Sequence, residues 1–121
     1  MANFSKRIRP FVDRELSEAQ QQEVRGYKDL AFAHLERAHV LGQASTREHV
    51  RAHTHMLLWA VRQRNFSEAT GQVIRIVGAA TKTALGLVPD GNTGGANVSP
   101  FTRLPIPDDL ARQIAAAKRG Y

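Results

Sequence analysis

The amino-acid sequence predicts an all-α protein, an antiparallel bundle of four to five helices that occupies residues 1–121 as a single domain. Apolar residues recur with the period of an amphipathic helix, and no segment alternates apolar and polar residues for long enough to form a strand. Apolar residues make up 42% of the chain and charged residues 23%, which is typical of a folded globular domain. Helix start and stop signals divide the chain into segments.

Those signals define five helices. We expect them from about Pro10 to Arg25, Tyr27 to Leu41, Ser45 to Arg64, Asn65 to Leu85 and Asp108 to Lys118. Pro10 suits an opening turn, so residues 1–9 are expected to form a basic N-terminal arm. Ser45 with Glu48, and Asn65 with Glu68, have the spacing of a capping box, which predicts the starts of the third and fourth helices.

The second and fourth helices form a weak internal repeat. Each begins near an aromatic residue that follows a turn, Tyr27 or Phe66, and continues as an apolar stripe. This pattern allows tetratricopeptide-like hairpins, although ordinary packing of helical hairpins explains it equally well. Before the last helix, residues 86–107 are rich in Gly, Pro and Asn but also carry Phe101 and Ile106. A flexible linker does not need such side chains, so we expect an ordered loop.

Composition and charge exclude several classes of function. The chain contains no cysteine, so disulfides and thiolate metal sites are excluded. Its net charge of +6 comes from scattered basic residues, which is typical of a solvated surface and argues against nucleic-acid binding. No secretory signal or membrane-spanning segment is recognisable, and a cytoplasmic location is therefore expected. No catalytic residues are predicted, and the sequence does not predict an oligomeric state.

The five histidines are concentrated in one predicted hairpin. They are His34, His39, His49, His53 and His55, on the second and third helices. A short turn joins these helices, so His39 should lie level with His49, and His34 level with His53 and His55. His49 and His53, four residues apart, project from one helix face with a separation of about 6 Å. This spacing is typical of two imidazoles that bind one metal ion.

The facing helix adds a carboxylate. Glu36 and His39 have the Glu-x-x-His spacing of carboxylate-bridged metal bundles. The predicted ligands are therefore His34, His39, His49, His53 and Glu36, with Glu48 as an alternative carboxylate. Such a set suits Zn, Ni, Co, Cu(II) or Fe rather than Cu(I). The alternative interpretation is that His39 and His53 are core imidazoles and that the other histidines lie at the surface or in an interface.

Two further features weigh against a metalloenzyme. The pair His49 and His53 lacks the intervening glutamate that serves as the general base of zinc proteases. Only one Glu-x-x-His occurs, whereas a di-iron bundle requires two. A metal-binding role without catalysis is therefore the favoured interpretation.

Three motifs carry a resemblance to a known family: HLERAHVLGQAS (residues 34–45), RIVGAATKTALGLV (75–88) and GNTGGANVSPF (91–101). Together they resemble a bacterial family of short helical proteins that is defined only as a domain of unknown function. The resemblance implies an association with heavy-metal resistance or efflux, and so favours an accessory or sequestering protein for a transition metal. The alternative function is a tetratricopeptide-like adaptor that binds a protein partner in a groove beside the GNTGG segment.

Overall fold

The computed structural model describes residues 3–82 and 104–120. This part of the chain contains five α-helices: α1 (Phe4–Val24), α2 (Lys28–Gly42), α3 (Thr46–Arg62), α4 (Phe66–Lys82) and α5 (Asp108–Arg119). No strand occurs within these ranges, so the all-α prediction is confirmed for them. Most of the predicted ordered loop, up to residue 103, lies outside the described residues, and its order stays a prediction. The tetratricopeptide-like arrangement also stays a prediction.

The first helix begins earlier than the sequence signals predict. Residues 4–9 form the first turns of α1 instead of a separate basic arm, and Pro10 lies inside the helix. The side chain of Asn3 caps the helix by accepting a hydrogen bond from the backbone N–H of Lys6. Ile8 is fully buried one turn before Val12, so burial of this turn outweighs the local cost of proline.

The helix starts that were predicted from capping boxes are confirmed. The Ser45 hydroxyl accepts a hydrogen bond from the backbone N–H of Glu48 at 3.2 Å. The Asn65 side-chain carbonyl accepts one from the backbone N–H of Glu68 at 3.1 Å. These bonds satisfy amide groups that have no partner within the helix, and they fix where α3 and α4 begin.

The helices pack mainly as neighbours along the chain. α1 packs on α2, α3 packs on both α2 and α4, and α5 covers α1 and α2. The core contains Ile8, Val12, Leu35, Leu41, Met56 and Leu110, among other apolar side chains. Arg37 binds α5 to this core, because it donates to Glu15 of α1 and forms an ion pair with Asp109. No helix within residues 3–82 and 104–120 has the length and apolar character needed to cross a membrane.

Gly42 allows α2 and α3 to approach each other closely. A Cβ atom built on Gly42 would lie 2.7 Å from Cβ of Glu48 and 3.1 Å from its carbonyl carbon. Those atoms belong to the α3 backbone or lie next to it, so they cannot rotate away. Glycine at this position therefore determines how near the end of α2 comes to the start of α3.

Replacement of Gly42 by alanine is expected to push these two helix ends apart. Overpacking of this kind costs about 1–3 kcal/mol of unfolding free energy, which urea denaturation can measure. Ala44→Ser is the matched control, because Ala44 is exposed in the same turn. Equal stability of Gly42→Ala and the wild type would show that the close approach does not constrain the hairpin.

Candidate metal centre

Three histidines converge where α2 ends and α3 begins. His39 lies near the end of α2, and the short turn that follows brings it opposite His49 and His53 in the first two turns of α3. The Nε2 atom of His49 lies 2.8 Å from Nε2 of His39 and 3.1 Å from Nε2 of His53. One ligand atom from each ring can be chosen so that all three lie within 4.8 Å of one another. The arrangement can therefore direct three imidazole nitrogens at one ion.

The three rings are almost completely buried, with exposed fractions of 2% for His39, 4% for His49 and 3% for His53. Burial, and in second place the neighbouring His53, lowers the pKa of His49 to about 3. Burial also lowers the pKa of His53 to about 4; the hydrogen bond with Gln72 opposes this shift and the charge of Arg75 adds to it. Both rings are therefore neutral at pH 7, the state in which imidazole binds a metal.

The contacts between the Nε2 atoms do not suit neutral imidazoles alone. Nδ1 of His53 lies 2.6 Å from Oε1 of Gln72, which can only accept, so the proton of this neutral ring is on Nδ1 and its Nε2 carries a lone pair. His49 then faces one ring on each side through a single Nε2 atom, which can hold only one proton. At least one of the two short Nε2–Nε2 contacts therefore has no proton between its nitrogens to form a hydrogen bond. A cation bound by the lone pairs would remove this conflict.

A buried amide supports the cluster from α4. Gln72 is fully buried, and it accepts from His53 while its own amide N–H donates to Oε2 of Glu68 at 2.7 Å. Metal-binding histidines usually donate their other ring N–H in this way, which fixes the orientation and tautomer of the ring. Sequence reasoning missed Gln72. The available signal was a polar residue on the buried face of α4, four residues after Glu68.

Gln72→Leu is expected to weaken metal binding by about 10- to 100-fold, because it removes the acceptor for the Nδ1 proton of His53 while keeping most of the side-chain volume. A calorimetric titration of the variant with Zn²⁺ measures this loss. Thr70→Val, on the exposed face of the same helix, is the control and should bind as tightly as the wild type. Unchanged affinity in Gln72→Leu would mean that the amide does not support the site.

The other predicted ligands lie elsewhere. His34 is not brought into the cluster: its Nδ1 lies 2.8 Å from Oε1 of Glu15 on α1. His34 precedes His39 by five positions, which places its side chain about 140° away around α2 and explains why it faces another helix. Glu36 is half-buried and is not part of the group of ligand atoms that converge. Glu48 is buried, but its Oε1 accepts from Arg51 at 2.8 Å, and it is also outside that group.

The chain belongs to the family DUF3703, described as a protein of unknown function, whose model matches residues 6–114. This confirms the resemblance to a domain of unknown function that the sequence motifs indicated. Searches of the curated proteins and of the solved structures gave no significant match. The family description assigns no activity, so a functional argument has to start from the geometry of the histidines.

Proposed function

We propose that the protein binds one divalent transition-metal ion through the Nε2 atoms of His39, His49 and His53, in an accessory or sequestering role. The single observation that carries this proposal is the convergence of three buried imidazole nitrogens from two helices. Single histidines are common in protein cores, but three that direct the same ring atom at one another require a reason. Metal coordination provides it.

The donor set and its spacing fit such an ion. Zinc–imidazole distances of 2.0–2.1 Å place two nitrogens of a tetrahedral site about 3.3 Å apart. The two short Nε2–Nε2 distances, 2.8 and 3.1 Å, need to open by only a few tenths of an ångström. Neutral imidazoles without thiolates suit Zn, Ni, Co, Cu(II) or Fe rather than Cu(I).

Burial favours holding an ion over using it for catalysis. A catalytic metal keeps a position that substrate can reach, whereas the three rings here are at most 4% exposed. The supporting hydrogen bonds from His53 through Gln72 to Glu68 also favour a fixed set of ligands. Such a site would release its ion slowly, as a sequestering protein requires.

Titration of the untagged, metal-free protein with Zn²⁺, Ni²⁺ or Co²⁺ tests the proposal. Calorimetry should show saturable binding of one ion per chain with a dissociation constant well below about 100 μM, equivalent to more than about 5.5 kcal/mol. Bound metal should also raise the melting temperature, since a ligand that binds only the folded state stabilises it. Absence of saturable binding for all of these ions would refute the proposal.

The alternative function, a tetratricopeptide-like adaptor for a protein partner, depends on a groove beside residues 91–95. Those residues lie outside the described part of the chain. The adaptor therefore stays a prediction, and the histidine cluster neither requires nor uses it.

A further inference from the structure

One end of the helix bundle collects basic residues from three separate parts of the chain. The hydroxyl of Ser5, in the first turn of α1, forms a hydrogen bond with the hydroxyl of Ser45, which caps α3. The guanidinium group of Arg7 donates to the backbone carbonyl of Ala117, near the end of α5. These two contacts bring three segments together, here called the basic end: residues 3–12, 43–48 and 115–120.

The basic end has a large excess of positive charge. Its three segments contain six basic side chains: Lys6, Arg7, Arg9, Arg47, Lys118 and Arg119. They contain one acidic residue, Glu48, which is 1% exposed and accepts a hydrogen bond from Arg51. Six basic residues and one acidic residue give this end a net charge of +5, whereas the whole chain has +6. The rest of the protein is therefore almost neutral.

Four of these basic side chains are available to a partner. They are Lys6, Arg9, Arg47 and Lys118. All four are exposed, and within residues 3–82 and 104–120 none of them forms an ion pair. A group of unpaired charges of one sign produces a local potential that attracts polyanions. The partner that this end fits is therefore strongly anionic.

The basic end offers charge without an apolar anchor. The large apolar side chains that are exposed in the described part of the chain all lie outside its three segments. Phe4 and Phe11 belong to the segments, but both pack against the core. A helix that binds a lipid surface inserts an apolar face, and most protein interfaces depend on buried aromatic or aliphatic side chains. A phosphate backbone, in contrast, is bound by charge alone.

We infer that the basic end binds the phosphate backbone of a nucleic-acid duplex without recognising its sequence. Each of the four exposed cations neutralises one phosphate and releases the counterions condensed around it, which drives the association. Among the described residues of this end no aromatic ring is exposed for bases to stack on, so a duplex is favoured over a single strand. The spread of basic residues along the sequence argues against such binding, but the fold gathers them at one end.

This inference does not depend on the proposed metal site. The three imidazoles of that site are at most 4% exposed, so they take no part in contacts with a duplex. Binding to nucleic acid is measured on the metal-free protein in the presence of EDTA. The two proposals can therefore fail separately.

Fluorescence anisotropy with a labelled DNA duplex of about 20 base pairs tests the inference on the full chain. The dissociation constant at about 150 mM salt should lie within about 1–100 μM, the range of non-specific complexes. Four phosphate contacts predict that the logarithm of the association constant falls with the logarithm of the salt concentration, with a slope of about −3.6. A second DNA duplex of unrelated sequence, and an RNA duplex, should bind within about tenfold of the first, because all three share the charged backbone.

The double variant Arg9→Gln, Arg47→Gln removes two of the four contacts. Its slope should fall to about −1.8, and its affinity at about 50 mM salt should be at least about 30-fold lower than that of the wild type. Both residues are exposed, so the helical circular dichroism should not change.

The matched control is Arg25→Gln, Arg64→Gln, which makes the same change of charge. Both arginines are exposed at the opposite end of the bundle, after α1 and between α3 and α4. The control should bind within about threefold of the wild type, because charges farther away than a Debye length are screened. Absence of binding at about 50 mM salt, binding that does not depend on salt, or an equal loss in both double variants would overturn the inference. Tighter binding to vesicles of phosphatidylcholine and phosphatidylserine than to the duplex would do the same.

Discussion

His49→Ala is expected to abolish saturable metal binding. The Nε2 atom of His49 is the one that lies within 3.1 Å of both other imidazoles, so its removal leaves two nitrogens from different helices. Loss of an outer-shell partner alone costs 10- to 100-fold in metal affinity, and loss of a direct ligand should cost at least about 100-fold. Calorimetric titration with Zn²⁺ under the conditions used for the wild type measures the effect.

Two comparisons separate this loss from simple unfolding. His49→Gln keeps most of the volume of the buried ring and should also fail to bind, while circular dichroism verifies that the helices remain. His34→Ala is the matched histidine control on α2, and it should bind metal normally because His34 contacts Glu15 instead of the cluster. Normal binding by both His49 variants, or an equal loss in His34→Ala, would contradict the proposed ligand set.

The metal-free protein is expected to lose stability steeply as the pH falls below about 6.5. The pKa of His49 is lowered to about 3 and that of His53 to about 4, mainly by burial, whereas both titrate near 6.5 in the unfolded chain. The unfolded state therefore takes up protons first. The contribution of these two histidines to the free energy of unfolding is fully present above pH 6.5, and it declines as the pH falls towards the two folded-state pKa values. Each group contributes up to about 1.4 kcal/mol per pH unit within that window.

Thermal unfolding between pH 7.5 and 4.5 measures this decline. His55 should also reduce the free energy of unfolding as the pH falls, because burial and the charges of Arg51 and Arg62 lower its pKa as well. The contribution of the cluster is isolated with His49→Gln, whose melting temperature should depend less on pH than that of the wild type. Bound Zn²⁺ should shift the decline to lower pH, since protons must then compete with the ion for the same nitrogens. An equally steep decline in the wild type and in His49→Gln would contradict a buried, neutral His49.

Much of the fold was predictable because its signals are local. The caps at Ser45 and Asn65 depend on residues only three positions apart, and both helix starts agree with the structure. The start of α1 was not predictable in the same way. Pro10 is a strong local signal, but the burial of Ile8 against other helices outweighs it, and that packing is not visible in a short window of sequence.

The candidate site was predictable to the extent that hairpin geometry determines it. A short turn between two helices brings His39 opposite His49, and helical spacing adds His53. His34 was also predicted to lie beside them, because it is level with His53 along the axis of the hairpin. That prediction neglected the direction in which the side chain of His34 leaves α2. Gln72 was missed because it reaches the cluster from α4. Its place on the buried face of α4 indicates burial, but it does not reveal which side chain of another helix it contacts.

The central claim is that His39, His49 and His53 bind one metal ion together. X-ray absorption spectroscopy of the protein loaded with one equivalent of Zn²⁺ tests it most directly. We expect a first shell at about 2.0 Å that includes three imidazole nitrogens, identified by scattering from the outer atoms of the rings. A shell of six oxygens without imidazole scattering, or the same spectrum from His49→Gln, would contradict the claim.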